Sequence, residues 1–125
     1  MNFCIFSYNR PLHLENCLQS IESLCPAAKV FIFDDNSQCK ETQAILTAAK
    51  ERHNVINTTL DTPDNQHGGL YANMQLALKT LPEDELACFI QDDLQVVRPI
   101  EATDISDITQ YFESCLLYTS DAADD

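Results

Sequence analysis

Short β-prone runs alternate along this chain with stretches of helical periodicity, and that alternation limits its folds more than any other feature. Phe3-Cys4-Ile5-Phe6-Ser7 is a compact apolar run that stops at Tyr8-Asn9-Arg10-Pro11. Pro11 suits a first helical position, where no N–H is needed. Leu14, Cys17, Leu18, Ile21 and Leu24 then recur at helical spacing until Cys25-Pro26 closes the stripe. Val30-Phe31-Ile32-Phe33 reads as a second strand, followed by a helix over 41–52 with Ala44, Ile45, Ala48 and Ala49 inward. Val55-Ile56-Asn57-Thr58-Thr59 is a third strand, poorer in apolar residues and so nearer a sheet edge. A loop over 61–69 holds Pro63, Asn65, His67 and both glycines. Leu70, Met74, Ala77, Leu78 and Leu81 line a third helix, and the run 86–91 is a fourth, buried strand.

After Val96-Val97 and Pro99 the pattern weakens. Ile105, Ile108, Phe112 and Cys115 line one more helix. From Leu116 to Asp125 there is neither periodicity nor capping logic. The expectation is a domain over 1–115 and a non-native or disordered tail over 116–125.

Strands alternating with helices of this length imply βαβ crossovers and an α/β fold with a mostly parallel sheet. Parallel strands share one C-terminal edge. Ser7-Tyr8-Asn9, Asp34-Asp35 and Asp92-Asp93 each follow a strand, so the pattern brings them to one crevice, where open α/β sheets bind ligands. A single acidic turn is unremarkable, since Asp is common in turns. Three loops that carry four carboxylates to one edge favour a binding site. Adjacent acids repel, so a cation, a hydrogen-bond network or a divalent metal must compensate them.

Composition narrows the ligand. The net charge of −13 argues against a nucleic-acid backbone as partner. No run approaches the roughly 18 apolar residues of a membrane span, and the N-terminus has no basic n-region or cleavage site. The six cysteines include no C-x-x-C pair, so they read as reduced core thiols of a cytoplasmic protein. The loops contain neither G-x-G-x-x-G nor G-x-x-x-x-G-K-[ST]. The chemistry such a site suits is nucleotide binding with Mg²⁺ or Mn²⁺. One carboxylate accepts hydrogen bonds from a base or ribose. Another holds the ion, which neutralises charge on a leaving diphosphate.

Four stretches carry a resemblance: 5–11 (Ile-Phe-Ser-Tyr-Asn-Arg-Pro), 33–37 (Phe-Asp-Asp-Asn-Ser), Gly69 through Asn73, and 90–93 (Ile-Gln-Asp-Asp). In this order they resemble the family 2 glycosyltransferases of the GT-A fold, over about Phe3 to Pro99. The resemblance implies that Ser7, Tyr8, Asn9, Asp35 and Asp92 bind the nucleotide, Tyr8 and Asp35 at the base and Asp92 near the ribose. It implies Asp93 as the metal ligand, with Gln91 where the family's Asp-x-Asp motif has its first acid. Asn73 matches an Asn of the helix after the third strand, where a helix-face or capping role competes. His67 and Arg10 lie near the expected diphosphate, although an exposed loop histidine and a solvated arginine are the blander readings.

Catalytic domains of this family run to about twice this length. The general base, which deprotonates the acceptor hydroxyl in an inverting transfer, is expected beyond this chain. The expectation is therefore the donor-binding half of a hexosyltransferase, inactive alone, taking a UDP-sugar and an unknown acceptor. Two alternatives are a sugar-nucleotide nucleotidyltransferase and a non-catalytic, Mg-binding receiver-like module. The first lacks its Gly-rich loop here. The second lacks its acids after strand one and strand three.

Overall fold

The structure is a computed structural model that describes residues 1–57 and 69–123, with side chains as far as 115. His67, Pro63, Asn65 and the Thr58-Thr59 end of the expected third strand lie outside the described residues. The element order is β1 (Asn2–Ser7), α1 (Pro11–Leu24), β2 (Lys29–Asp34), α2 (Lys40–Ala49), β3 (Asn54–Asn57), α3 (Gly69–Thr80), β4 (Ala87–Gln91) and α4 (Ala102–Ala123). The four strands form one parallel sheet in the order β3-β2-β1-β4.

That order places β1 at the centre, and all six of its residues are buried. Alternate side chains serve two cores. Phe3 and Ile5 of β1, with Val30 and Ile32 of β2, pack against Leu14, Cys17, Leu18 and Ile21 of α1 and Leu46 and Ala49 of α2. Cys4 and Phe6, with Phe33, pack against Ala77 of α3 and Leu81 just after it. Helices therefore cover both faces, which is why these strands read as continuous apolar runs rather than alternating ones. Each fully buried Ile or Phe contributes about 1.5–3 kcal/mol relative to exposure. On the α3 face Phe6 stacks with Phe33 at 5.7 Å between centroids and meets Phe89 edge-on at 5.2 Å.

Several local expectations shift. In α2 the inward residues are Thr42, Leu46 and Ala49, with Ile45 half-buried, whereas Ala44 and Ala48 face solvent. The helix turns its larger apolar side chains to the sheet, and small alanines tolerate either face. Leu78 of α3 is 65% exposed, while Asn73 occupies the buried stripe with Ala77. β4 is only half-buried, with exposed ends, because β1 is its one strand partner among the described residues. α4 forms where the weak pattern placed a helix and runs unbroken to Ala123, but Ile108 and Phe112 are exposed.

All six cysteines are free thiols. Cys4, Cys17 and Cys25 are core residues, whereas Cys39 and Cys115 are only half-buried. Burial pushes the Cys4 and Cys17 thiols up to about 12, with the charges of Asp92 and Asp93 adding to the effect at Cys17. Among the described residues no helix is long and apolar enough to cross a membrane.

Candidate functional site

The strand order reverses direction at β1. From β1 the chain steps to β2 and β3 on one side, then returns through α3 to β4 on the other. The chain after β4 returns to the α1 face, where the Val96 N–H donates to Ser20 Oγ at 3.0 Å and the Ile100 N–H to the Leu24 carbonyl at 2.9 Å. A crevice opens on the α3 side of the C-terminal edge, the edge where such sheets bind ligands. Here the crevice is a cleft of about 170 Å³ lined by Phe6, Ser7, Tyr8, Arg10, Asp35, Leu70, Asn73, Gln91 and Asp92.

Two backbone bonds carry the sheet ladder one residue past the strand ends and fix the loops. The Asp35 N–H donates to the Ser7 carbonyl at 2.9 Å, and the Asp92 N–H donates to the Phe6 carbonyl at 3.1 Å. Ser7, Tyr8, Asp35 and Asp92 thus meet in the cleft as the sequence placed them.

Asp34 and Asn9 have other work. Ser7 and Asp34 are register partners on β1 and β2, so the Ser7 hydroxyl donates to Asp34 Oδ1 at 2.8 Å. Ser37 donates to the same carboxylate twice, from its N–H at 2.8 Å and its hydroxyl at 2.6 Å. Asp34 is 1% exposed, and neither it nor Asp93 lines the cleft, so two of the four carboxylates that the sequence brought to one crevice, Asp35 and Asp92, line it. Asn9 is also absent from the cleft lining. Its N–H donates to Ser37 Oγ at 2.9 Å, and its Oδ1 accepts from the N–H groups of Gln38 and Cys39 at 2.7 and 2.9 Å. That amide holds the segment entering α2, including its N-cap residue Cys39, across the loop. Asn9 and Asn36 both adopt left-handed backbone, φ 49° and 57°, a conformation that Asn accepts more readily than most residues.

Sequence reasoning missed the role of Ser37. An acid followed three residues later by Ser after a strand was the available signal, since such pairs close local side-chain-to-backbone turns. It also missed the N–H of Gly69, which donates to Asp35 Oδ1 at 3.2 Å. Gly69 has φ +75°, a conformation glycine adopts without strain, and it ties the start of α3 to the β2 loop.

At the other side Asp92 is 4% exposed. Its Oδ2 accepts the Tyr8 N–H at 3.3 Å, and its Oδ1 lies 3.7 Å from Arg10 Nη1. Burial pushes the Asp92 carboxyl above its ordinary range. The Tyr8 N–H and the Arg10 charge pull it back, and the Asp93 charge raises it further. Asp93 is more open, its side chain 43% exposed, and its Oδ2 lies 3.4 Å from the same Arg10 nitrogen. Arg10 is therefore the cation that offsets the acidic pair, a role beyond solvated surface, although an ion pair this exposed contributes little to stability. Tyr8 presents an exposed ring at the rim, and Asn73 forms part of the α3 wall.

No protein-family model and no curated protein sequence matches the chain. Solved structures do. The crystal structure of S. aureus TarS 1-349 is similar over 90% of this chain, with TM-score 0.60 and 19% identity, and the match takes in 32% of that chain. A second S. aureus TarS structure gives TM-score 0.64 and 17% identity, covering 90% of this chain and 19% of that one. TarS 1-349 in complex with UDP gives TM-score 0.62 and 20% identity, covering 91% and 32%. The chain shares the fold of these TarS structures, a parallel sheet with alternating helices. The chain spans a third or less of the TarS chains it matches, and at these identities the likeness is one of fold.

Proposed function

We propose that this chain is the donor-binding part of a glycosyltransferase, taking a nucleoside diphosphate sugar, of which a UDP-sugar is the expected form. The observation that carries the reading is the convergence of Ser7-Tyr8, Asp35 and Asp92 on one cleft at the switch point of the sheet. The fold shared with TarS, for which a UDP complex exists, supports it. In this reading the Tyr8 ring stacks on the base, Asp35 accepts hydrogen bonds beside it, and Asp92 faces the ribose. The complete enzyme transfers a hexose to an acceptor hydroxyl with inversion.

A divalent ion fits the donor set in one way only. Among the described residues no group of three ligating side chains surrounds a cation position. Mg²⁺ and Mn²⁺ do not need such a cage, because they accept one or two carboxylates and leave positions for water and phosphate oxygens. Asp93, exposed beside the cleft, would hold the ion, which would neutralise charge on the diphosphate. Asp92 is already engaged by the Tyr8 N–H.

Calorimetric titration of UDP into the 125-residue chain, with and without Mn²⁺, tests the reading. The expected result is binding that Mn²⁺ strengthens, with the strengthening lost in Asp93→Ala. Absence of binding in both conditions overturns the function. Binding that Mn²⁺ strengthens equally in Asp93→Ala overturns the metal assignment alone.

A further inference from the structure

The cleft carries a cation of its own. Arg10 is the one lysine or arginine among the described residues that lines it. Its Nη1 lies 3.4 Å from Asp93 Oδ2 and 3.7 Å from Asp92 Oδ1. Both contacts fall on a single guanidinium nitrogen, and the side chain is 54% exposed. An arginine that locks a structure grips its carboxylate with two nitrogens, and a pair this open contributes little to stability. The helix does not need the side chain either. Arg10 is the N-cap residue of α1 and makes no side-chain cap hydrogen bond there. Its carbonyl accepts the Leu14 N–H at 3.0 Å, and Pro11 sets the first turn. What the guanidinium does is hold a positive charge against two adjacent acids at the cleft, through contacts that are easily exchanged.

We infer that Arg10 is a latch on the acidic pair, an internal cation that a divalent ion must displace from Asp93 and that a nucleoside diphosphate draws off. The inference rests on the reading that Asp93 holds a divalent ion and that the cleft takes a nucleoside diphosphate. Ion and guanidinium compete for one oxygen, Asp93 Oδ2, and their charges repel. While the arginine holds that oxygen, a divalent ion binds poorly. A diphosphate offers the guanidinium several oxygens in the geometry that its planar fork grips best. Once Arg10 turns to it, Asp93 is open. Metal therefore enters with the nucleotide rather than before it, and each strengthens the binding of the other.

The test is calorimetric titration of Mn²⁺ alone, and of UDP with a chelator present, into the wild-type chain and Arg10→Gln. On a chain of net charge −13, the Mn²⁺ site in question is the one that Asp93→Ala removes. Arg10→Gln is expected to bind Mn²⁺ roughly fivefold more tightly at that site, the upper range for an exposed ion pair. It should bind UDP roughly tenfold more weakly, the scale of a hydrogen bond to a charged group. Opposite signs for the two ligands separate a latch from a structural arginine, whose removal would weaken both and lower the unfolding temperature. Mn²⁺ binding that is absent, unchanged or weaker in Arg10→Gln overturns the inference, as does UDP binding that the substitution leaves unchanged. Mn²⁺ binding that is the same in Asp93→Ala as in the wild type overturns the metal assignment and the latch with it. If the wild type binds no UDP with or without Mn²⁺, the nucleotide reading fails and release by diphosphate fails with it. The Mn²⁺ titrations then still decide whether Arg10 blocks the metal.

Discussion

The chain carries two pairs of adjacent aspartates at strand ends, Asp34-Asp35 and Asp92-Asp93, and the fold uses them differently. In both, the first acid turns inward and the second outward. Asp34 is saturated by three donors from Ser7 and Ser37, and through Ser37 and Asn9 it reaches the N-terminus of α2. Asp92 is nearly as buried but has one backbone donor and a distant guanidinium. The first pair is a finished piece of scaffold with Asp35 presented from it. The second is left electrostatically incomplete, and its burial disfavours the charge it carries. Incomplete satisfaction beside a cleft is where a ligand has something to supply.

The largest expected effect is at the scaffold pair. Asp34→Ala leaves the Ser7 hydroxyl and both Ser37 donors without an acceptor in a buried place, and should cost roughly 2–4 kcal/mol in urea unfolding. Retention of wild-type stability would show that the first pair is no more a scaffold than the second. Next is Asp35→Ala, expected to weaken UDP binding by about tenfold or more, the scale of a hydrogen bond to a charged group, with or without Mn²⁺. Its effect on unfolding should be much smaller than that of Asp34→Ala. Equal loss of stability in the two variants would erase the division of labour within the first pair.

Asp92 gives a smaller effect with a definite sign. Its carboxyl is raised by burial above its unfolded value near 3.8, so the folded chain holds its proton to higher pH than the unfolded chain. Ionisation of Asp92 then opposes folding: stability falls as pH rises from about the unfolded value through the folded one. Asp92→Asn should therefore unfold at a higher temperature than wild type at pH 7 and at the same temperature near pH 3. It keeps an oxygen for the Tyr8 N–H. An equal gain at both pH values would place its origin outside the charge. The smallest effect belongs to Asp93→Ala, whose exposed carboxylate should change stability by less than about 0.5 kcal/mol. A larger loss would mean that its pairing with Arg10 holds the loop.

Much of this was legible in the sequence, because strand and helix periods differ and buried parallel strands are continuously apolar. Pro11 marked the start of α1, and the weakly apolar third strand sits at the sheet edge as its composition required. The residues gathered at the cleft follow from parallel topology alone, since every strand delivers its next residue to the same side. What could not be read is which way each of two adjacent carboxylates turns. That depends on register, which sets Ser7 against Asp34, and on a local turn that brings back Ser37. The face of α2 was misjudged because alanines carry almost no burial preference of their own. β4 reads as buried by composition, yet burial also depends on whether a second strand lies beside it. Asn73 resembled a helix-face residue until the structure placed it on the buried stripe.

The central claim is that one cleft at the C-terminal edge of the sheet binds a nucleotide. Titration of UDP and Mn²⁺ into the isotope-labelled 14.1 kDa chain, followed by backbone amide NMR shifts, tests it most directly. Shifts concentrated at Tyr8, Asp35, Gly69, Asn73 and Asp92, with the N-terminal edge of the sheet around Asn2 and Lys29 unmoved, are the predicted result. Shifts centred away from that cleft, or none at saturating nucleotide, would contradict the account.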